Sequence, residues 1–237
     1  MIRRMRNRLR EIDWQRVRAD LDGRGHARVP HLLTPAECRA LAALYTEDAR
    51  FRSTVSLERF RFGRGEYRYF ARPLPVQVQA LRTALYPPLA AIANDWQERL
   101  GERQRFEPSL AAFLRRCHAA GQKRPTPLLL HYLEGDFNCL HQDLYGPVAF
   151  PLQVTVLLAD PRRDFAGGEF LLVEQRPRQQ SRGEAVALEQ GEAIVFPTRE
   201  RPVAGSRGVY RAQIRHGVST LRHGERTTLG IIFHDAR

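Results

Sequence analysis

The chain has 237 residues, of which 43% are apolar and 27% charged, and it carries a formal net charge of +12. That balance fits a soluble globular protein and excludes a collagen, a coiled coil, a disordered tail or a membrane protein, since no run approaches the roughly 20 apolar residues of a span. The basic stretch Met1–Arg10 is followed by no apolar segment or small-residue cleavage site, so it is not read as a secretory signal, and Cys38, Cys117 and Cys139 form no CxxC pair, which points to reduced thiols in a cytoplasmic setting.

The isoelectric point of about 10.6 favours a polyanionic partner such as nucleic acid. Lys123 is the single lysine among 38 basic residues, and the arginines are scattered along the chain. Such a bias reads first as genome composition and only second as a binding patch.

In chain order, Ile12, Trp14, Val17 and Leu21 fall at helical spacing, and Gly23 and Gly25 end that pattern. Residues 26–33 form a short extended run. Thr34-Pro35-Ala36-Glu37 is a capping box with proline at the first helical position, and it predicts a helix to about Tyr45 with Cys38, Leu41 and Leu44 buried. Between residues 51 and 70, Phe51, Phe60, Phe62, Tyr67, Tyr69 and Phe70 interleave with Arg52, Arg59, Arg61, Arg64 and Arg68. This predicts a strand pair. It either lines an opening and stacks on nucleic acid or is a half-buried hairpin with a solvated arginine face. Amphipathic helices follow near 76–100 and 107–120.

From Pro127 the pattern changes to seven short runs, at 128–133, 152–158, 168–173, 184–188, 193–196, 210–218 and 226–233, separated by Gly, Pro and Asp turns. They predict a barrel or jelly roll. With no repeat or linker, the chain reads as one domain, 1–237. Residues 1–126 supply helical support and a substrate-side hairpin, and residues 127–237 supply the β core. The turn-rich segment 197–209, flanked by Arg199, Arg201, Arg207 and Arg211, reads as a substrate-covering loop or as an exposed charged loop.

The chemistry centres on His141-Gln142-Asp143. In a strand, residues two apart share a face, so this imidazole and carboxylate can grip one ion. His216, 73 residues after Asp143, offers a third ligand, and two His with one carboxylate leave open positions as in non-haem Fe(II) oxygenases. Arg226, ten residues after His216, opens an apolar strand and needs an anionic partner that the far carboxylate of a keto acid would supply. A flat hairpin turning at His223-Gly224 would hold His216 and Arg226 roughly 16 Å apart, so the chain must cross between facing sheets there. His223 reads as solvated, His131 as a second-layer partner or a core histidine, and His234-Asp235 as a poor second metal site.

Tyr132-x-x-Gly135, His141-x-Asp143, Gly167-Gly168-Glu169 and His216 with Arg226, in this order, resemble the Fe(II)- and 2-oxoglutarate-dependent dioxygenases over about residues 127–235. The spacing is similar to the bacterial prolyl-hydroxylase-like branch. The ending from His216 to Ala236 is closer to a bacterial oxygenase family assigned to oxidative dealkylation of damaged DNA, as in AlkB-type repair. One departure is that no second arginine follows Arg226 until Arg237, where AlkB-type enzymes carry one nearby.

The resemblance implies an α+β chain with a double-stranded β-helix (jelly-roll, cupin-like) core and an N-terminal layer of helices. It implies Fe(II) on His141, Asp143 and His216, with 2-oxoglutarate as co-substrate and O2 as oxidant. Arg226 would anchor the distal carboxylate of the co-substrate, with Tyr132 and Thr228 as further contacts. The expected reaction is hydroxylation of a substrate C–H with release of succinate and CO2, on an alkylated DNA or RNA base. Tyr67, Arg68 and Tyr69 are the candidate substrate contacts. The alternatives are a prolyl or other side-chain hydroxylase and a non-catalytic metal-binding sensor.

Overall fold

Two antiparallel sheets facing each other are the frame on which every candidate residue is mounted. The structure, a computed structural model, describes residues 2–206 and 208–237. The N-terminal half holds α1 (Ile2–Arg10), α2 (Trp14–Arg24), β1 (Ala27–Val29), α3 (Pro35–Ala42), β2 (Phe51–Ser56), β3 (Gly63–Arg64), β4 (Glu66–Phe70), α4 (Val76–Arg99) and α5 (Leu110–Ala119). The C-terminal half is β5 (Leu128–Leu133), β6 (Phe137–His141), β7 (Leu152–Leu157), β8 (Phe165–Gly167), β9 (Phe170–Gln175), β10 (Arg182–Val186), β11 (Ala193–Pro197), β12 (Glu200–Gly205), β13 (Gly208–Val218) and β14 (Leu221–Ile231).

The larger sheet runs β1-β11-β7-β14-β5-β4-β2, and the smaller β10-β9-β13-β6-β3; β8 and β12 pair with β14 and β13. The larger sheet therefore draws β1, β2 and β4 from the helical half of the chain. The expected double-stranded β-helix core with a helical layer is the architecture found.

The capping box forms as its residues dictate. Thr34 accepts from the Glu37 backbone N–H, and the Glu37 carboxylate accepts from the Thr34 N–H. The helix is shorter than expected, because after Ala42 the chain tightens into a 3-10 turn over Ala43–Thr46. The basic first segment is itself a helix, held by Met5 and Leu9, which are four residues apart and both buried.

The outer face of the larger sheet packs on α4 and α5 through Tyr86, Phe113, Phe150 and Phe233, with Phe150 and Phe233 5.2 Å apart between ring centroids. Arg82 of α4 is fully buried and pays for its desolvation with Asp235, 2.9 Å away, and the backbone oxygens of Ile232 and Phe233. Asp235 also meets Arg72 and His118, so His234-Asp235 ties the C-terminus to α4. A second apolar cluster lies between the sheets and includes Leu157, Phe170, Phe196 and Ile214.

Two strands lie where no strand was expected, β8 and β12, and the strand expected at His141-Gln142-Asp143 is β6, which ends at His141. The 197–209 segment is not a loop. Its β12 pairs with β13 from Glu200 opposite Gln213 to Gly205 opposite Gly208. Arg201 is buried against Glu174 at 2.7 Å, and Arg211 pairs with Glu200 at 2.5 Å, so neither arms a lid. Arg207 lies outside the described residues. The crossing between sheets occurs at Ser219-Thr220, between β13 and β14, and not at His223-Gly224. Gly224 lies inside β14 at φ +81°, where a Cβ would stand 2.0 Å from the Asp164 carbonyl oxygen. No helix among the described residues is long and apolar enough to cross a membrane.

Candidate active site

His141 closes β6 and stands opposite His216 of β13 in the ladder. The chain leaves regular structure at Gln142, so Asp143 does not share a strand face with His141, contrary to the expectation from alternation. The loop bends instead and brings the carboxylate between the two rings. Asp143 Oδ2 lies 3.2 Å from His216 Nε2, and Oδ1 lies 3.6 Å from His141 Nε2. One ligand atom from each residue fits within 4.8 Å of the other two, close enough to share one metal ion.

Neighbouring groups hold this geometry. His141 Nδ1 lies 2.8 Å from the Cys139 carbonyl oxygen. That oxygen only accepts, so Nδ1 carries the proton and Nε2 keeps the lone pair that a metal needs. Tyr145 donates its hydroxyl to Asp143 Oδ1 at 2.7 Å, and the Gln142 amide donates to the Ile214 carbonyl oxygen at 2.9 Å, pinning the loop. Burial opposes ionisation of Asp143, but the hydrogen bond and charge of His216, with His141 and Tyr145, hold its carboxyl well below the usual range. Burial, reinforced by His216, pushes His141 down, so its imidazole is neutral and able to ligate.

A cavity of about 280 Å³ opens beside the triad, and Arg226, Tyr132, Asn138 and Thr228 line it. Arg226 is 2% exposed, its Nε and Nη1 have no hydrogen-bond partner, and it forms no ion pair among the described residues. Burial brings its pKa down to about 10, only partly offset by Tyr132 and Glu169. A buried, unpaired guanidinium is costly unless an anion completes it, so a dicarboxylate that reaches from the triad to Arg226 fits this chain's own donors.

Tyr132 is fully buried beneath the guanidinium, 5.8 Å from ring centroid to Cζ, and its hydroxyl accepts from the Asn138 amide at 3.2 Å. Burial pushes that phenol up to about 12. Thr228, also buried, lies two residues from Arg226 on the same face of β14.

The substrate-side candidates separate. Tyr67 lines the cavity. Tyr69 is buried behind it, edge-on to both Tyr67 and Tyr145, with the Arg52 guanidinium over its ring at 4.4 Å. Arg68 points to the opposite face of β4, where it pairs with Asp48 at 2.7 Å and covers the Tyr45 ring. Strand alternation makes it a structural residue and corrects its reading as a phosphate contact. His131 is likewise turned away, against Glu225 at 2.7 Å and stacked on Tyr45. His223 is exposed beside Glu134.

Asn138, Tyr145 and Gln153 also line the cavity and were not singled out from the sequence. Tyr145, two residues after Asp143, was the readable one. Asn138 and Gln153 gave no signal, because only the strand pairing turns them inward.

Residues 65–236 match a protein family described as an oxygenase catalysing oxidative methylation of damaged DNA. The chain belongs to this oxygenase family. An uncharacterised protein of Mycobacterium tuberculosis is 54% identical over 167 residues, which is 70% of this chain and 72% of that protein.

Two solved structures show the shared fold. A prolyl hydroxylase of Trichoplax adhaerens, solved with a hypoxia-inducible-factor peptide, has a TM-score of 0.59 at 14% identity, covering 98% of this chain and 92% of that one. A 2OG-Fe(II) oxygenase family oxidoreductase of Burkholderia pseudomallei has a TM-score of 0.55 at 17% identity, covering 95% and 93%.

Proposed function

We propose that this oxygenase removes alkyl groups from nucleic-acid bases, with His141, Asp143 and His216 holding Fe(II) and Arg226 anchoring 2-oxoglutarate. The observation that carries the site assignment is the unpaired, buried guanidinium of Arg226 in the same cavity as three convergent metal-capable donors. The description of the family supports the substrate, and the charge of +12 is consistent with it. The three free cysteines accord with a cytoplasmic setting.

Iron held by these residues would supply activation of O2 coupled to oxidative decarboxylation of the keto acid to succinate and CO2, and so hydroxylation of the substrate alkyl carbon, which then leaves the base as an aldehyde. The chain's own residues do the rest. His141 and His216 offer imidazole nitrogens, and Asp143 supplies one negative charge, so the donor set suits a divalent cation with positions to spare. Arg226 binds the distal carboxylate and Tyr132 packs against it, which fixes the direction of the co-substrate. Leu128, Leu130 and Ile232 make the cavity wall apolar and limit water around the reacting carbon. A base must leave its stack to reach this depth.

The test is incubation with Fe(II), 2-oxoglutarate and a methylated single-stranded oligonucleotide, reading formaldehyde and succinate together. Equimolar products, lost in His141→Ala, are expected. Succinate coupled only to a proline-containing peptide would replace the nucleic-acid reading with side-chain hydroxylation. No succinate with any substrate would remove the site assignment.

A further inference from the structure

We infer that Phe60 and Phe62, with Arg59 and Arg61, form a stacking platform at the cavity mouth that grips unpaired nucleotides flanking the target base. This inference rests on the nucleic-acid reading above and specifies a single strand.

Both rings are exposed, Phe60 at 50% and Phe62 at 47%, although large apolar side chains rarely stay in water without a use when they cluster. They are stacked, with centroids 5.8 Å apart and planes 21° from parallel. Phe62 also lines the cavity, so the platform is continuous with the site.

The turn that carries the rings is firmly built. Leu57 is 1% exposed and packs with Tyr132, Val218 and Leu221, anchoring the turn in the core. Its carbonyl oxygen accepts from the N–H groups of Phe60 and Phe62, and the Phe62 carbonyl accepts from Cys139 at 2.7 Å. Arg61 takes a left-handed conformation, φ +58°, which lets the chain reverse between the two rings.

The charge around the rings selects the occupant. Residues 57–65 contain Arg59, Arg61 and Arg64 against a single acid, Glu58. Arg64 is committed to Asp136 at 3.3 Å. Arg59 and Arg61 pair with no carboxylate among the described residues, and the Arg59 guanidinium lies over the Phe60 ring at 5.7 Å. Exposed parallel rings flanked by free guanidinium groups match bases to stack and phosphates to neutralise. A duplex keeps its base faces covered, and a neutral proline-rich peptide offers the arginines nothing, so an unpaired strand is the occupant that satisfies both features.

The experiment is fluorescence anisotropy of the full chain with a labelled, unmethylated single-stranded oligonucleotide and with the same sequence as a duplex. The strand should bind more tightly than the duplex. Phe60→Ala with Phe62→Ala should weaken strand binding roughly ten-fold or more, as loss of base stacking does. Phe60→Leu with Phe62→Leu, which keeps the apolar area, should lose most of the same affinity. Arg59→Gln with Arg61→Gln should flatten the dependence of log K on log salt by about 1.4, the contribution of two single-strand phosphates.

Duplex bound as tightly as the strand, leucine variants that bind like the parent, or a parental dimer that only the alanine variants dissociate would each overturn the platform. Binding is read without turnover. Loss of demethylation with retained platform-dependent binding therefore counts against the proposed chemistry alone, and demethylation with an unaltered strand affinity in the variants counts against the platform alone.

Discussion

Gly168 leaves no space between itself and Arg226. A Cβ at residue 168 would stand 2.9 Å from Arg226 Cδ and 2.7 Å from Leu221 Cδ1, and the backbone there is left-handed at φ +62°. The Gly-Gly-Glu signal thus has a physical cause: the turn must pass the guanidinium stem closely, in a conformation that side chains disfavour. Gly168→Ala should displace the arginine and add about 1–2 kcal/mol of backbone strain. The half-saturating 2-oxoglutarate concentration for succinate release should rise several-fold. An unchanged dependence would show that Gly168 serves only the turn.

Arg226 itself should behave as a cost to the protein without its anion. Arg226→Met keeps the length and removes the unpaired charge, so it should stabilise the protein in the absence of 2-oxoglutarate by roughly 1–3 kcal/mol. The same substitution should abolish the rise in unfolding temperature that 2-oxoglutarate gives the parent. Thermal unfolding with and without the keto acid measures both effects. A variant less stable than the parent without ligand would mean that the guanidinium has a partner inside the protein.

Tyr145 orients Asp143 through the 2.7 Å hydrogen bond to Oδ1. Removing the hydroxyl frees one carboxylate oxygen to rotate away from the shared position. Tyr145→Phe should weaken divalent-metal affinity on the order of ten-fold, the usual effect of losing a group that orients a ligand. Titration with Mn(II), which does not turn over, reads this directly. Equal affinities would assign Tyr145 to the cavity wall alone.

His234 makes stability depend on acid. It is fully buried, and its pKa is held down to about 4 by burial and then by the Arg82 charge, against the pull of Asp143 and Asp235. The unfolded chain therefore binds a proton on this ring more readily than the folded one. The contribution is complete above the ordinary imidazole value of 6.5 and is lost as pH falls toward 4, to a limit of roughly 3 kcal/mol. His234→Asn keeps an acceptor for the Phe150 N–H, which Nδ1 accepts at 3.2 Å, and cannot titrate. Urea unfolding of the chelator-treated protein should show a shallower loss of stability between about pH 7 and pH 4.5 in the variant than in the parent. Parallel curves would mean that His234 stays neutral in both states.

What the amino-acid sequence determined by itself is what depends on local chemistry and spacing. The Thr34–Glu37 capping box, the 128–133 and 193–196 runs and the order of His141, Asp143, His216 and Arg226 were all readable, because turn residues and strand alternation act over a few neighbours. Strands β8 and β12 were not, because neither shows clear apolar alternation; pairing with β14 and β13, respectively, is what makes them strands. Tertiary structure alone decided which side of β4 each residue takes, burying Tyr69, turning Tyr67 to the cavity and sending Arg68 to Asp48. It also decided that Asp143 reaches His216 by a loop and that Arg226 Nε and Nη1 find no hydrogen-bond partner among the described residues. Facing sheets bring together side chains far apart in the chain, and that convergence has no trace in the periodicity of either segment.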